Sequence, residues 1–124
     1  MEYSSEVVRR CDAPRRAGEL PRAMGGLLSG QAEDRALQVW VRFDLQVQNG
    51  VIQTVRFEAF GCPHAVAAAD LTAERLEGQP VEAVRRVDAI ALMAALDVPV
   101  EKLGKLLRIE DAVAACLSGA ATRT

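Results

Sequence analysis

Histidine, tryptophan and tyrosine each occur once in this 124-residue chain, and phenylalanine three times. So few rings leave little to stack on bases, and the 15 basic residues are scattered and outnumbered by 17 acidic ones. Nucleic acid is therefore not an expected partner. No apolar run approaches the about 20 residues that span a bilayer. No charged segment followed by a hydrophobic signal region opens the chain. The expectation is a soluble, cytoplasmic protein with no membrane partner. Cys11, Cys62 and Cys116 are too widely spaced for a disulfide framework, and their odd number leaves at least one thiol free. HExxH and phosphate-loop motifs are absent, and no Ser-His-Asp set is apparent, so no enzymatic activity is expected. Half the residues are hydrophobic and the net charge is only −2, which fits a single domain over residues 1–124 with one core.

The pattern of apolar residues predicts the elements. Tyr3 to Cys11 reads as a short helix with Val7 and Val8 inward, ended by Asp12-Ala13-Pro14. Pro14 to Asp34 reads as loop, with Gly25 to Gly30 supplying at most a short edge strand. Leu37, Val39, Val41, Phe43, Leu45 and Val47 alternate with polar residues, and a second strand runs from Val51 to Ala59. Asn49-Gly50 between them is a hairpin signal. A two-residue loop would pair Arg42 with Phe57 and set the apolar faces against each other. A three-residue loop, Gln48-Asn49-Gly50, pairs Phe43 with Val55 and aligns the faces, so it is the predicted turn. After Gly61 the chain reads as helical: Pro63 to Glu77, ended by Gly78; Val81 to Arg86; Ala89 to Leu96, capped by Asp88; and a last helix carrying Leu106, Ile109, Val113 and Cys116. The predicted fold class is α+β, a small antiparallel sheet of three strands (hairpin 37–60) packed on one face by C-terminal helices.

The segment Phe57-Glu58-Ala59-Phe60-Gly61-Cys62-Pro63-His64 concentrates the chemistry. A strand runs into a glycine turn, and Pro63 suits the first position of the next helix. Cys62 then stands where free N–H groups and the positive end of the helix dipole favour a thiolate, the form that binds a soft metal or attacks sulfur. The competing reading is a small buried hydrophobe. His64 could add a nitrogen donor, but Cys62 and His64 alone do not complete a tetrahedral metal site. Its plainer role is a partly exposed histidine at a helix N-terminus. Cys11, beside Arg9 and Arg10, lies in a basic setting that would lower its pKa, although packing also explains it. Cys116 continues an apolar stripe and reads as core. Glu33-Asp34 offers hard oxygen ligands in what reads as a solvated loop.

The order of these motifs resembles the IscU/NifU-type scaffolds that assemble iron–sulfur clusters. Tyr3-Ser4 to Val7, Pro14-Arg15 and Gly18 resemble the family's opening. Gly50-Val51-Ile52 to Arg56-Phe57 and Phe60-Gly61-Cys62 resemble its hairpin and cysteine turn. Glu77 to Ala83, Asp88-Ala89-Ile90, Pro99 to Leu103 and Glu110 to Val113 resemble its later segments. The resemblance implies an iron–sulfur cluster or iron as cargo, with zinc as an alternative metal. It also implies a cysteine desulfurase, cluster acceptors or chaperones as partners, and allows a homodimer.

The family holds its cluster with three cysteines, aided by a histidine or aspartate, and Cys62 corresponds to the second. No cysteine lies between Cys11 and Cys62, and the family's final His-Cys pair falls on Gly104-Lys105. The ligand set that remains is Cys62 and His64, with Asp34 near the place of the family's acidic residue. Three expectations follow: a divergent scaffold or carrier, with two protomers each supplying Cys62 and His64 to a bridging cluster; a non-ligating paralogue that binds and modulates assembly partners; or a sulfur relay that carries a persulfide on Cys62. Lys105 would favour the Cys62 thiolate if the two loops meet.

Overall fold

The computed structural model describes residues 3–122. Three antiparallel strands, β1 (Leu27–Asp34), β2 (Val39–Gln48) and β3 (Val51–Phe60), form one sheet in that order. Helix α2 (Pro63–Leu76) packs on β3, and α4 (Leu103–Thr122) packs on β1 and β2. Helix α1 (Ser5–Asp12) lies against α2, and α3 (Ala89–Leu96) against α4 and α2. Val41, Phe43 and Leu45 of β2 and Val55 and Phe57 of β3 meet Ala69, Ala73, Ile109 and Val113 in one core. This is the α+β arrangement the periodicity predicts. Short 3₁₀ turns at Val81–Arg86 and Val100–Lys102 join the helices; the first replaces an expected α-helical segment.

The hairpin corrects the predicted turn. Asn49 and Gly50 are both left-handed, at φ 55° and 76°, and Gln48 pairs with Val51, so the loop has two residues. The face conflict is resolved by a bulge: Gln46 pairs with Thr54 and Val47 with Ile52, leaving Gln53 as the extra residue. Beyond it Phe43 faces Phe57 and Leu45 faces Val55. The bulge also lets Ile52 and Val55, three positions apart, both be fully buried.

Two further expectations change. Strand β1 extends to Asp34, so Glu33 and Asp34 belong to an edge strand and not a loop, while Leu37 and Gln38 lie in the turn before β2. Asp44, placed by alternation on the polar face, is fully buried. The segment ahead of β1 folds over that face, with Leu20 N–H donating to Asp44 at 3.0 Å and Arg22 pairing with it, and Ser29 Oγ of β1 donates at 2.7 Å.

The termini of α1 and α2 position the site. Ser4 caps α1, accepting from Val7 N–H, and its hydroxyl donates to the Leu96 carbonyl at 2.7 Å. Val8, expected inward, is exposed, and Arg10 takes the buried side, bonded to Asp70 of α2 at 2.6 Å. At the far end of α2, Glu77 accepts from Val55 N–H at 2.9 Å and from Arg16. Burial opposes its ionisation, but the hydrogen bonds from Arg16 and Val55 and the charges of Arg16 and Arg56 prevail and hold its carboxyl below the usual value. A lowered folded pKa adds stability that is complete above the ordinary value of 4.5 and is lost as pH falls toward the folded one. Urea midpoints at successive pH values from neutral to acid should therefore fall less steeply in Glu77→Gln than in the wild type, and parallel curves would contradict the assignment.

Candidate functional site around Cys62

Strand β3 delivers Cys62 through a turn that favours glycine. Gly61 has φ +154°, and a Cβ there would lie 3.3 Å from both Ala65 Cβ and Val39 Cγ2. Cys62 occupies the N-cap of α2 in an extended conformation, with Pro63 at the first helical position. Its carbonyl accepts from Ala65 N–H at 2.9 Å, while its side chain makes no capping bond. The thiol is thus half-buried at the positive end of a 14-residue helix and is not used to satisfy it.

His64, expected to be partly exposed, is instead fully buried, and neither ring nitrogen has a hydrogen-bond partner among the described residues. Leaving such a group unpaired costs about 1–3 kcal/mol. The Tyr3 ring covers it, with centroids 4.8 Å apart and planes at 59°. Burial lowers the His64 pKa, and the charges of Lys102 and Lys105 lower it further, so the imidazole is held neutral. Neutral imidazole is the ligating form.

Those lysines flank Gly104, where a Cβ would lie 3.0 Å from Leu37 Cδ1. The start of α4, the β1–β2 turn, the cysteine turn and Tyr3 therefore converge. The charges of Lys102 and Lys105 act on His64; Lys102 and Tyr3 were not singled out from sequence as site residues. The only signal for Tyr3 was its place in the opening motif, because nothing local reveals a contact across some sixty positions.

Asp34 does not join them. Its Oδ1 accepts from Leu37 N–H at 3.1 Å, and its Oδ2 lies 3.6 Å from Arg108. Among the described residues no three of His, Cys, Asp and Glu come together closely enough to hold a metal ion. Cys11 is half-buried on α1, and its pKa is raised by burial and the charges of Asp12 and Cys62, against the lowering expected from its arginine neighbours. Cys116 is buried in the core, and desolvation pushes its thiol up to about 12, which leaves it inert at neutral pH. The donors of a single chain do not fill the four positions that a two-iron cluster or a structural zinc ion requires. What one chain offers is a free thiol beside a covered neutral imidazole, in the field of two ammonium groups.

The sequence matches the model of the NifU-like N terminal domain over residues 2–123. It is 25% identical over 122 residues to the iron-sulfur cluster assembly scaffold protein IscU of Haemophilus influenzae, covering 95% of this chain and 94% of that one. The IscU scaffold protein of Rickettsia prowazekii is 27% identical over 119 residues, covering 95% and 91%. The crystal structure of a nitrogen-fixing NifU-like protein (N-terminal) from Brucella abortus superposes with a TM-score of 0.75 at 16% identity, over 98% of this chain and 95% of that one. At that identity the superposition speaks for the fold.

Proposed function

This chain belongs to the NifU-like N-terminal domain family, and from that premise we propose that it works as a single-domain scaffold or carrier in iron–sulfur cluster assembly, not as an enzyme. The observation that carries this is the uncapped thiol of Cys62 at the start of α2, set where the loops converge. Because one chain brings a thiol and an imidazole, the cargo is held between two protomers, each supplying Cys62 and His64. Zinc is the alternative occupant of those four donors. The partners this role calls for are a cysteine desulfurase and cluster-accepting or chaperone proteins. Among the described residues no helix is long and apolar enough to cross a membrane, which suits work in the cytoplasm.

A second reading is favoured by the charges of Lys102 and Lys105 at the site. Ammonium groups repel a bound cation and attract an anion, so in this reading the Cys62 thiolate attacks the outer sulfur of a desulfurase persulfide and carries it as its own persulfide without metal, the desulfurase cysteine leaving as thiolate. The third expectation, a modulator that binds partners without ligating, needs neither donor.

Anaerobic purification and reconstitution, followed by iron, zinc and sulfide analysis with a visible spectrum, tests the first reading. The wild type is expected to bind iron and sulfide with a charge-transfer band, as a dimer by native mass spectrometry, and Cys62→Ala to bind none. Protein that resists reconstitution sinks the scaffold reading. Added sulfur on Cys62 in the absence of metal establishes the relay, and desulfurase binding that survives Cys62→Ala without any cargo establishes the modulator.

A further inference from the structure

The closed position of Tyr3 is incompatible with a donor role for His64. With the aromatic ring 4.8 Å away and the imidazole fully buried, neither nitrogen can reach a metal or a second chain. We infer that Tyr3 is a movable cover over His64, a positioning residue whose displacement turns a one-donor site into a two-donor site. The inference rests on the reading of His64 as a ligand for its purpose, but not for its geometry.

Three features make the cover able to open by itself. The contact is between tilted rings, with planes at 59°, and no hydrogen bond from either imidazole nitrogen to a described residue has to break. Opening lets water reach both nitrogens, which repays part of the lost ring contact. Residue 4 is fixed: its side chain caps α1 through Val7 and bonds to the end of α3 at Leu96. Tyr3 can therefore swing about a stationary Ser4 without unfolding α1. Tyr3 as a residue is already 37% exposed, so the cover lies at the surface.

Because the chain holds one histidine, diethylpyrocarbonate modification followed at 240 nm, with the site verified by mass spectrometry, reports on His64 alone. In the wild-type chain the rate should depend only weakly on urea at low concentration, the mark of a local opening that exposes little surface. Tyr3→Ala should react about tenfold faster or more, whereas Tyr3→Phe, which keeps the ring, should react at the wild-type rate. Wild-type modification that follows the steep urea dependence of global unfolding would overturn the inference, and that measurement needs no variant to fold. A folded Tyr3→Ala with the wild-type rate would overturn it equally. Cobalt(II) titration of Tyr3→Ala and of Cys62→Ala then separates the two readings. A fast-reacting His64 that never perturbs the cobalt spectrum leaves the cover intact and removes His64 from the proposed ligand set.

Discussion

Gly30→Ala is expected to destabilise the protein by about 3 kcal/mol or more, a fall of roughly 10 °C in Tm. A Cβ at Gly30 would stand 2.3 Å from the Cys116 backbone nitrogen, 2.5 Å from the Ala115 carbonyl carbon and 2.6 Å from the Ala112 oxygen. All three are backbone atoms of α4, so no side-chain rotation can make room. Either β1 or the whole helix must shift. Helix α4 carries Leu106, Ile109, Val113 and Cys116 of the core, and its first turn places Lys105 near His64. The damage should therefore reach the site: His64 should become more reactive as well as the fold less stable. Gly25→Ala is the control, since its Cβ would meet nothing within 4 Å and its change should stay within about 0.5 kcal/mol. Thermal melts of the two variants side by side decide the matter, and a loss at Gly30 no greater than at Gly25 would show that α4 is not seated as described.

Asp70→Ala should be nearly as costly. The Arg10 guanidinium is about 5% exposed and lies 2.6 Å from Asp70, whose own side chain is 2% exposed. Removing one partner of a buried pair strands the other charge, typically at about 3–5 kcal/mol. Glu6 at 2.6 Å and Glu74 at 3.0 Å remain to soften that loss, while the Arg15 N–H loses its acceptor at 3.0 Å. We expect about 3 kcal/mol by urea denaturation. The pair Arg10→Met with Asp70→Leu should recover most of it, because no buried charge is then left alone. Since this pair docks α1 on α2, and Tyr3 directly precedes the Ser4 cap of α1, Asp70→Ala should also hasten modification of His64. A double variant no more stable than Asp70→Ala would mean that the pair contributes net stability and not merely a penalty avoided.

Much of this molecule is legible in its sequence. The buried face Val39, Val41, Phe43 and Leu45, the Gly61 turn, Pro63 and the Asp88 cap depend on neighbours a few positions apart, and each behaves as its local chemistry predicts. The hairpin turn shows where that reasoning stops. The sequence poses the conflict between Asn49-Gly50 and the apolar faces, but the escape, a bulge at Gln53, depends on which side chains the helices can bury. The placement of Glu33-Asp34 fails for a related reason: an edge strand packed through a bare Gly30 carries little apolar signal.

By itself the sequence determined the α+β class, the strand–glycine–cysteine–helix turn and the family, because periodicity and short motifs are properties of adjacent residues. Only the tertiary structure decided that Asp34 is spent on Leu37 N–H and faces Arg108, that Cys11 is not activated by its arginines, and that His64 lies buried under Tyr3. Those outcomes turn on burial and charge contributed by elements distant in the chain, and desolvation has no counterpart in the order of the residues.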